Sequence, residues 1–180
     1  AERGRVLKCQ NNLRELCMAV QAAANDNENR FPAIEPDIEN PVHGGEEGEK
    51  ARPIQEVLAP YGITNKNLQC AADLDGPNFF EKKRTSYEWQ VFVEDELTNR
   101  VTIYTPRFNF PIPPSRVRLF NDWEPVHPDF GTDRKLDKEK KEYTTNRMNV
   151  VFADGHVVSV RPAKPRGGGR GGGFGGGGRR

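Results

Sequence analysis

The chain has 180 residues, enough for one domain with a real core and too few for two of ordinary size. Apolar residues make up only 34% while Gly and Pro number 18 and 14, so the core should be small, loops abundant and stability modest. Of the 27 basic side chains, six (Arg161, Lys164, Arg166, Arg170, Arg179, Arg180) lie in residues 161–180, which hold no acid; 21 remain in residues 1–160 against 26 acidic ones. A mildly acidic body with a basic tail argues against a nucleic-acid footprint on the folded part.

No apolar run approaches the roughly 18 to 20 residues of a membrane helix, and no signal-peptide pattern is present, so the chain as it stands is expected to be soluble. It begins at Ala1, inside what reads as a helix, which leads us to expect that an N-terminal segment has been processed or cut away. In "RVLKCQNNLRELCMAVQAAAND", Val6, Cys9, Leu13, Leu16, Cys17, Val20, Ala23 and Ala24 recur at spacings of three and four, predicting one amphipathic helix over residues 1–28. Asn, Asp and Pro32 in "NDNENRFP" stop it. The three cysteines, Cys9, Cys17 and Cys70, lack CxxC spacing, which argues against a metal cluster. Cys9 and Cys17 stand about 12 Å apart along one helix axis, too far to bond, so only Cys70 can partner either.

Residues 32–50 read as an acidic surface loop, in which His43 beside Gly44 and Gly45 is a weak ligand candidate. "RPIQEVLAPYG" predicts a short helix with Pro53 in its first turn and Tyr61-Gly62 at its end, and "NLQCAADLDGPN" an extended piece and a turn. From residue 84 the period becomes alternating: "TSYEWQVFV", "RVTIYT" and "SRVRLFND" predict antiparallel strands, whereas "NFPIPPS" cannot be a central strand because Pro lacks the ladder donor. "GTDRKLDKEKKEYTTNR" reads as a charged loop with a brief helix. "NVVFADGHVVSV" predicts a hairpin turning on Asp154-Gly155 in a type I′ turn, with Ala153 opposite His156, Phe152 opposite Val157, and His156 and Phe152 on opposite faces. The globular domain should span residues 1–160 and the Gly/Arg-rich residues 161–180 should be disordered.

Several residues could carry chemistry. Asp154 and His156 are of the type that bind metals or move protons, but turn geometry alone accounts for Asp154 and Gly155, and a hairpin tip offers no pocket. His127, with Asp122, Glu124 and Asp129 nearby, could form an acid/base or hard-metal site; a solvated polar loop is the favoured expectation. Asp73, Asp75 and Asn78 in "DLDGPN" lack the spacing and closing Glu of an EF-hand, so a turn is expected there. GxSxG, P-loop and HExxH motifs are absent. In the tail, Arg166, Arg170, Phe174, Arg179 and Arg180 could bind single-stranded nucleic acid through charge and stacking, though a basic tether to anionic polymers or an acidic neighbour is favoured.

Taken in order, "RVLKCQNNLRELCMAVQAAANDNENRFP", "LQCAAD", "TSYEWQ", "SRVRLFNDWEPVHP" and "NVVFADGHVVSV" resemble the type II secretion pseudopilin-like proteins of bacteria, in the branch marked by a C-terminal motif of His, nine residues and Asp-Gly. The resemblance covers about residues 5–160. Counting back from Asp154 places the motif's His at Thr144, so His127 is the nearer counterpart, displaced by the charged insertion; the family's "CP-x-D" reads "CAAD", keeping Cys70 and Asp73 without the Pro.

The resemblance implies an α+β, pilin-like fold, a long N-terminal amphipathic helix packed on a small antiparallel sheet, and a non-catalytic structural role in a pseudopilus or related envelope filament. It also implies a leader and hydrophobic helix preceding Ala1, anchorage in the bacterial envelope on the periplasmic or surface side, and partners among copies of itself, other pseudopilins and secretion components. This soluble stretch alone would be monomeric. It makes Cys9 and Cys70 the disulfide partners in an oxidising compartment, with Cys17 a buried thiol. No catalytic residue, cofactor or metal ligand is assigned; calcium is known in related proteins but maps to no residue here. The alternatives are an extracytoplasmic module binding glycan or nucleic acid through Tyr87, Trp89, Trp123 and the tail, and a hydrolase using His127.

Overall fold

A computed structural model describes residues 2–37, 51–74, 78–104, 109–123, 126–128, 136–137, 142–143 and 146–161. Helix α1 spans Glu2–Asp26, two residues short of the expected end. The chain leaves it through Asn27, whose N–H donates to the Ala24 carbonyl, and through Glu28 and Asn29 at φ 52° and 60°. Asn adopts this left-handed region more readily than most residues, which suits it to a helix exit. The expected stripe is the buried one: Cys9, Leu13, Leu16, Cys17, Val20, Ala23 and Ala24 are all closed to water, joined by Ala19 and Asn12. Val6 is only half-buried and Arg3, Gly4, Arg5, Leu7 and Lys8 are exposed, so firm packing starts one to two turns into the helix.

Strands β1 (Ile34–Glu35) and β2 (Arg52–Pro53) form a short parallel pair. Helix α2 (Ile54–Leu58) follows, with Pro53 as its N-cap rather than inside its first turn, and a 3₁₀ turn over Ala59–Tyr61 closes at Gly62 with φ 84°. Two further short helices follow: α3 (Ala71–Leu74) stands where an extended piece and a turn were expected, and α4 (Phe79–Lys83) begins just past that stretch, where no element was expected. The carboxylate of Asp73 causes this locally: its oxygens accept the N–H groups of Phe79 and Phe80, each at 2.9 Å, and so satisfy two donors at the start of α4 that a sequence pattern does not reveal.

The main sheet runs β11–β10–β6–β3, with β7 also paired to β10, and every pairing in it is antiparallel. Its strands are β3 (Tyr87–Trp89), β6 (Arg118–Asp122), β7 (His127–Pro128), β10 (Asn146–Phe152) and β11 (Val157–Val160). Helix α1 packs across β10, β6 and β11. Phe120, Val151, Tyr87 and Trp89 share the sheet face toward the helix, with Trp89 held between Phe31 and Phe120 at ring separations of 6.4 and 5.0 Å. Among the described residues, strands β4 (Val101–Tyr104) and β5 (Asn109–Ile112) pair only with each other, which is where Pro111 is tolerated.

Three further expectations are corrected. The "TSYEWQVFV" strand stops at Trp89 and turns as a 3₁₀ helix over Val91–Val93. Trp89 Nε1 donates to Glu94 Oε1 at 2.8 Å, and the turn buries Val93 while leaving Val91 and Phe92 exposed. In the charged stretch expected to be a loop, Leu136–Asp137 (β8) pairs with Glu142–Tyr143 (β9), and Asn146 and Arg147 already belong to β10; its other residues, where a brief helix was expected, lie outside the described residues. The last hairpin is offset from its expected register by one residue: Val151 pairs with Val157 and Val150 with Val158. Gly155 N–H donates to the Phe152 carbonyl and Phe152 N–H to the His156 carbonyl, and only Gly155, at φ 87°, is left-handed. This is a three-residue loop with a bulge at glycine rather than a type I′ turn. Phe152 and His156 consequently share a face, their rings stacked at 4.3 Å and 5°.

A Cβ at Gly155 would meet open space, so its substitution tests backbone conformation alone. Gly155→Ala should lower the unfolding free energy by about 1 kcal/mol and Gly155→Asn by less, measured from urea midpoints at unchanged m-value.

Candidate functional site

The titratable and sulfur-bearing groups that the fold gathers lie inside it, where the N-terminal half of α1 crosses the loop before α3 and the strands β6, β7 and β10. Cys9, on the buried stripe of α1, is bonded to Cys70, with Cα atoms 5.3 Å apart and 61 positions between them. Of the two pairings left open by helix geometry, this is the one present, and Cys17 is the buried free thiol. Cys70 N–H donates to Ser86 Oγ, and Ser86 in turn donates to Asp73 Oδ2 at 2.6 Å. The loop that carries Cys70 is thereby anchored both to the sheet and to the start of α4.

His127 is fully buried, which corrects its expected place in a solvated loop. Pairing of β7 with β10 sets Arg147 opposite His127 and carries the imidazole inward. Its Nε2 lies 3.2 Å from Asp122 Oδ2 and 3.6 Å from Cys70 Sγ. Asp122 Oδ2 also accepts the Asn149 N–H at 2.6 Å, so one carboxylate joins β6, β7 and β10. Burial pushes the Asp122 carboxyl above its ordinary range, against the downward pull of the hydrogen bond and charge of His127. Tyr87 is pushed up as well, first by burial and then by the charge of Asp122, while its hydroxyl accepts from Asn12 Nδ2 at 3.2 Å. Asn12 further donates to the Gln69 carbonyl at 3.0 Å, a second polar clasp between α1 and the Cys70 loop.

Comparison of the chain with protein-family models, with curated proteins and with solved structures finds no match. The geometry therefore carries the argument. A shallow groove of about 280 Å³ beside Met18, Tyr61 and Ile63, and a second of about 230 Å³ beside Asp26, Arg52 and Asp95, are lined by none of the buried cluster. An acid and a base sit in hydrogen-bond range there, and neither groove opens onto them.

The remaining candidates fall apart spatially. Asp154 and His156 do meet, Nδ1 to Oδ1 at 2.5 Å, but on the exposed hairpin tip. Slight burial there is outweighed by the side-chain and backbone hydrogen bonds from His156, which hold the Asp154 carboxyl below its ordinary range. Asp73 spends both oxygens on protein donors, so "DLDGPN" supplies a structural cap. Tyr87 and Trp89 are core residues, unavailable for stacking on sugars or bases. Trp123 is half-buried, stacked on Phe79 with Lys83 Nζ 4.4 Å from its ring. His43, Asp75, Glu124, Asp129, Thr144 and the tail residues Arg166, Arg170, Phe174, Arg179 and Arg180 lie outside the described residues. Asn12, Ser86 and Asn149 were not singled out from the sequence, because a lone polar residue in an apolar run carries no sign of its partner.

Two outcomes follow from the sulfur chemistry. Opening the Cys9–Cys70 bond with a Cys9→Ser/Cys70→Ser double variant should cost about 4 kcal/mol for a loop of this length, read from the denaturant midpoint against the oxidised parent. Burial pushes the Cys17 thiol up to about 11, with a further upward push from Asp154, and its Sγ lies 3.5 Å from the Phe152 carbonyl. The native oxidised protein at pH 8 should therefore show no alkylatable thiol, and the unfolded chain one, by mass spectrometry after iodoacetamide.

Proposed function

We propose that this chain is a structural, non-catalytic subunit of a pseudopilus-like bacterial envelope filament, with a pilin-like fold. The observation that carries the reading is the Cys9–Cys70 bond between a long N-terminal helix and the loop entering an antiparallel sheet. The pseudopilin resemblance implied that pairing where helix geometry alone left two. The interior position of His127 agrees with a structural part for the residue that stands nearest to the family's motif histidine.

In such a subunit α1 would continue toward the membrane and the assembly axis. Its first turns, from Arg3 to Lys8, stand exposed ahead of the packed stripe, and Leu7 and Met18 offer large apolar side chains on its outer side. Copies of the chain or related subunits are the partners this face would meet. The sheet and its last hairpin would then form the outward body, tied to the helix by the disulfide. Catalysis plays no part in this role, because the work is done by packing.

The gene supplies the direct test. Reading the coding sequence upstream of the Ala1 codon should reveal a short leader followed by about 20 apolar residues; a reading frame without that pair would sink the proposal.

A further inference from the structure

A disulfide needs no histidine, yet an imidazole is packed against this one, with a carboxylate behind the imidazole. Cys9, Cys70 and His127 are each wholly buried, and their sulfur and nitrogen atoms all lie within 4.8 Å of one another, while Asp122 joins this group through His127 and would have to swing in as a fourth donor. His127 Nε2 stands 3.6 Å from Cys70 Sγ and 3.2 Å from Asp122 Oδ2. In a tetrahedral zinc site, bonds of about 2.3 Å to sulfur and about 2.0–2.1 Å to nitrogen or oxygen place neighbouring S and N donors roughly 3.6 Å apart and N and O donors roughly 3.3 Å apart. Both spacings are already those of tetrahedron edges.

A second observation points the same way. Among the described residues, Asp122 Oδ1 is buried without a hydrogen-bond partner. Buried polar atoms are nearly always satisfied, and a core that only had to seat a disulfide would gain by replacing the Asp122 and His127 side chains with apolar ones. Oδ1 is free to turn toward a cation, and Nε2 is the ring nitrogen that faces Cys70 and would present its lone pair.

We propose that Cys9, Cys70, His127 and Asp122 form a metal site in the reduced protein, taking one divalent cation of the zinc class. The junction between α1 and the sheet would then be covalent when oxidised and metal-held when reduced. A dithiol reductant delivers two electrons and two protons to the Cys9–Cys70 bond, leaving two thiols and becoming a disulfide itself. The cation then displaces both thiol protons to solvent and binds two thiolates, the imidazole Nε2 and a carboxylate oxygen. With the Cα atoms 5.3 Å apart, side-chain rotation is enough to open the sulfurs to the roughly 3.8 Å edge of a two-sulfur site. Two thiolates and an imidazole favour zinc over calcium or magnesium, which prefer all-oxygen shells. This site stands on side-chain geometry and does not depend on the assembly role.

Because the cluster is closed to water, the metal is loaded during folding. The full chain is unfolded with a phosphine reductant and refolded anaerobically with one equivalent of Co²⁺, then titrated with Zn²⁺. The expected result is one cobalt per chain, with thiolate-to-cobalt charge-transfer absorption, the strong visible bands of a tetrahedral ion, and displacement by zinc. Cys17→Ala should keep that spectrum, and Cys9→Ser/Cys70→Ser should abolish it. His127→Ala and the better-filling His127→Gln, both checked for folding in the oxidised form by circular dichroism, should weaken cobalt binding at least tenfold and lose the tetrahedral bands. Absence of bound cobalt, a reduced chain that stays unfolded with cobalt present, an octahedral spectrum, or a tetrahedral spectrum unchanged in both His127 variants would each overturn the proposal.

Discussion

Cys9, Leu13, Leu16, Val20 and Ala24 are withdrawn from water along one side of a 25-residue helix, against strands only two to seven residues long. Sheets of so few short strands are marginal alone, and they persist here because an apolar helix face covers them. Each Leu or Val buried in that seam contributes roughly 1.5–3 kcal/mol, so the stripe outweighs any single hydrogen bond or ion pair on the surface. Its placement also decides the interior: with α1 laid across β10 and β6, Cys9 comes over the Cys70 loop and Asn12 over the Tyr87 hydroxyl.

Against this apolar seam the fold sets a polar node. Asp122 reaches the Asn149 amide and His127, joining three strands, while Asp73 reaches Ser86 and the first amides of α4. Buried charges of this kind add little net stability but make misregistered alternatives costly, since any slip strands a carboxylate without donors. The small apolar fraction of the chain makes such specificity useful. Few large side chains are available to define one packing, and the disulfide and the polar node both restrict how α1 sits on the sheet.

The sequence was most legible where one period dominates. Eight positions at helical spacing foretold α1 and nearly all of its buried face, and the alternating segments foretold β3, β4, β6, β10 and β11. It was least legible where a distant partner decides. Helix α4 depends on Asp73, six residues before it, and the 3₁₀ turn at Val91 keeps company with a hydrogen bond between Trp89 and Glu94. The hairpin was located correctly but read one residue out of register, because Asp-Gly suits both a type I′ turn and a glycine bulge.

What the sequence determined by itself was local: which stretches are helix or strand, which helix face is apolar, and where the chain must turn. These follow from spacing and backbone preference, which neighbours in the chain settle among themselves. Only the tertiary structure decided which cysteine bonds to Cys70, and that His127 leaves the solvent to stand between Asp122 and the disulfide. Those outcomes depend on how α1 lands on β10 and on β7 pairing beside it, contacts between residues far apart in the chain whose energies no local pattern encodes.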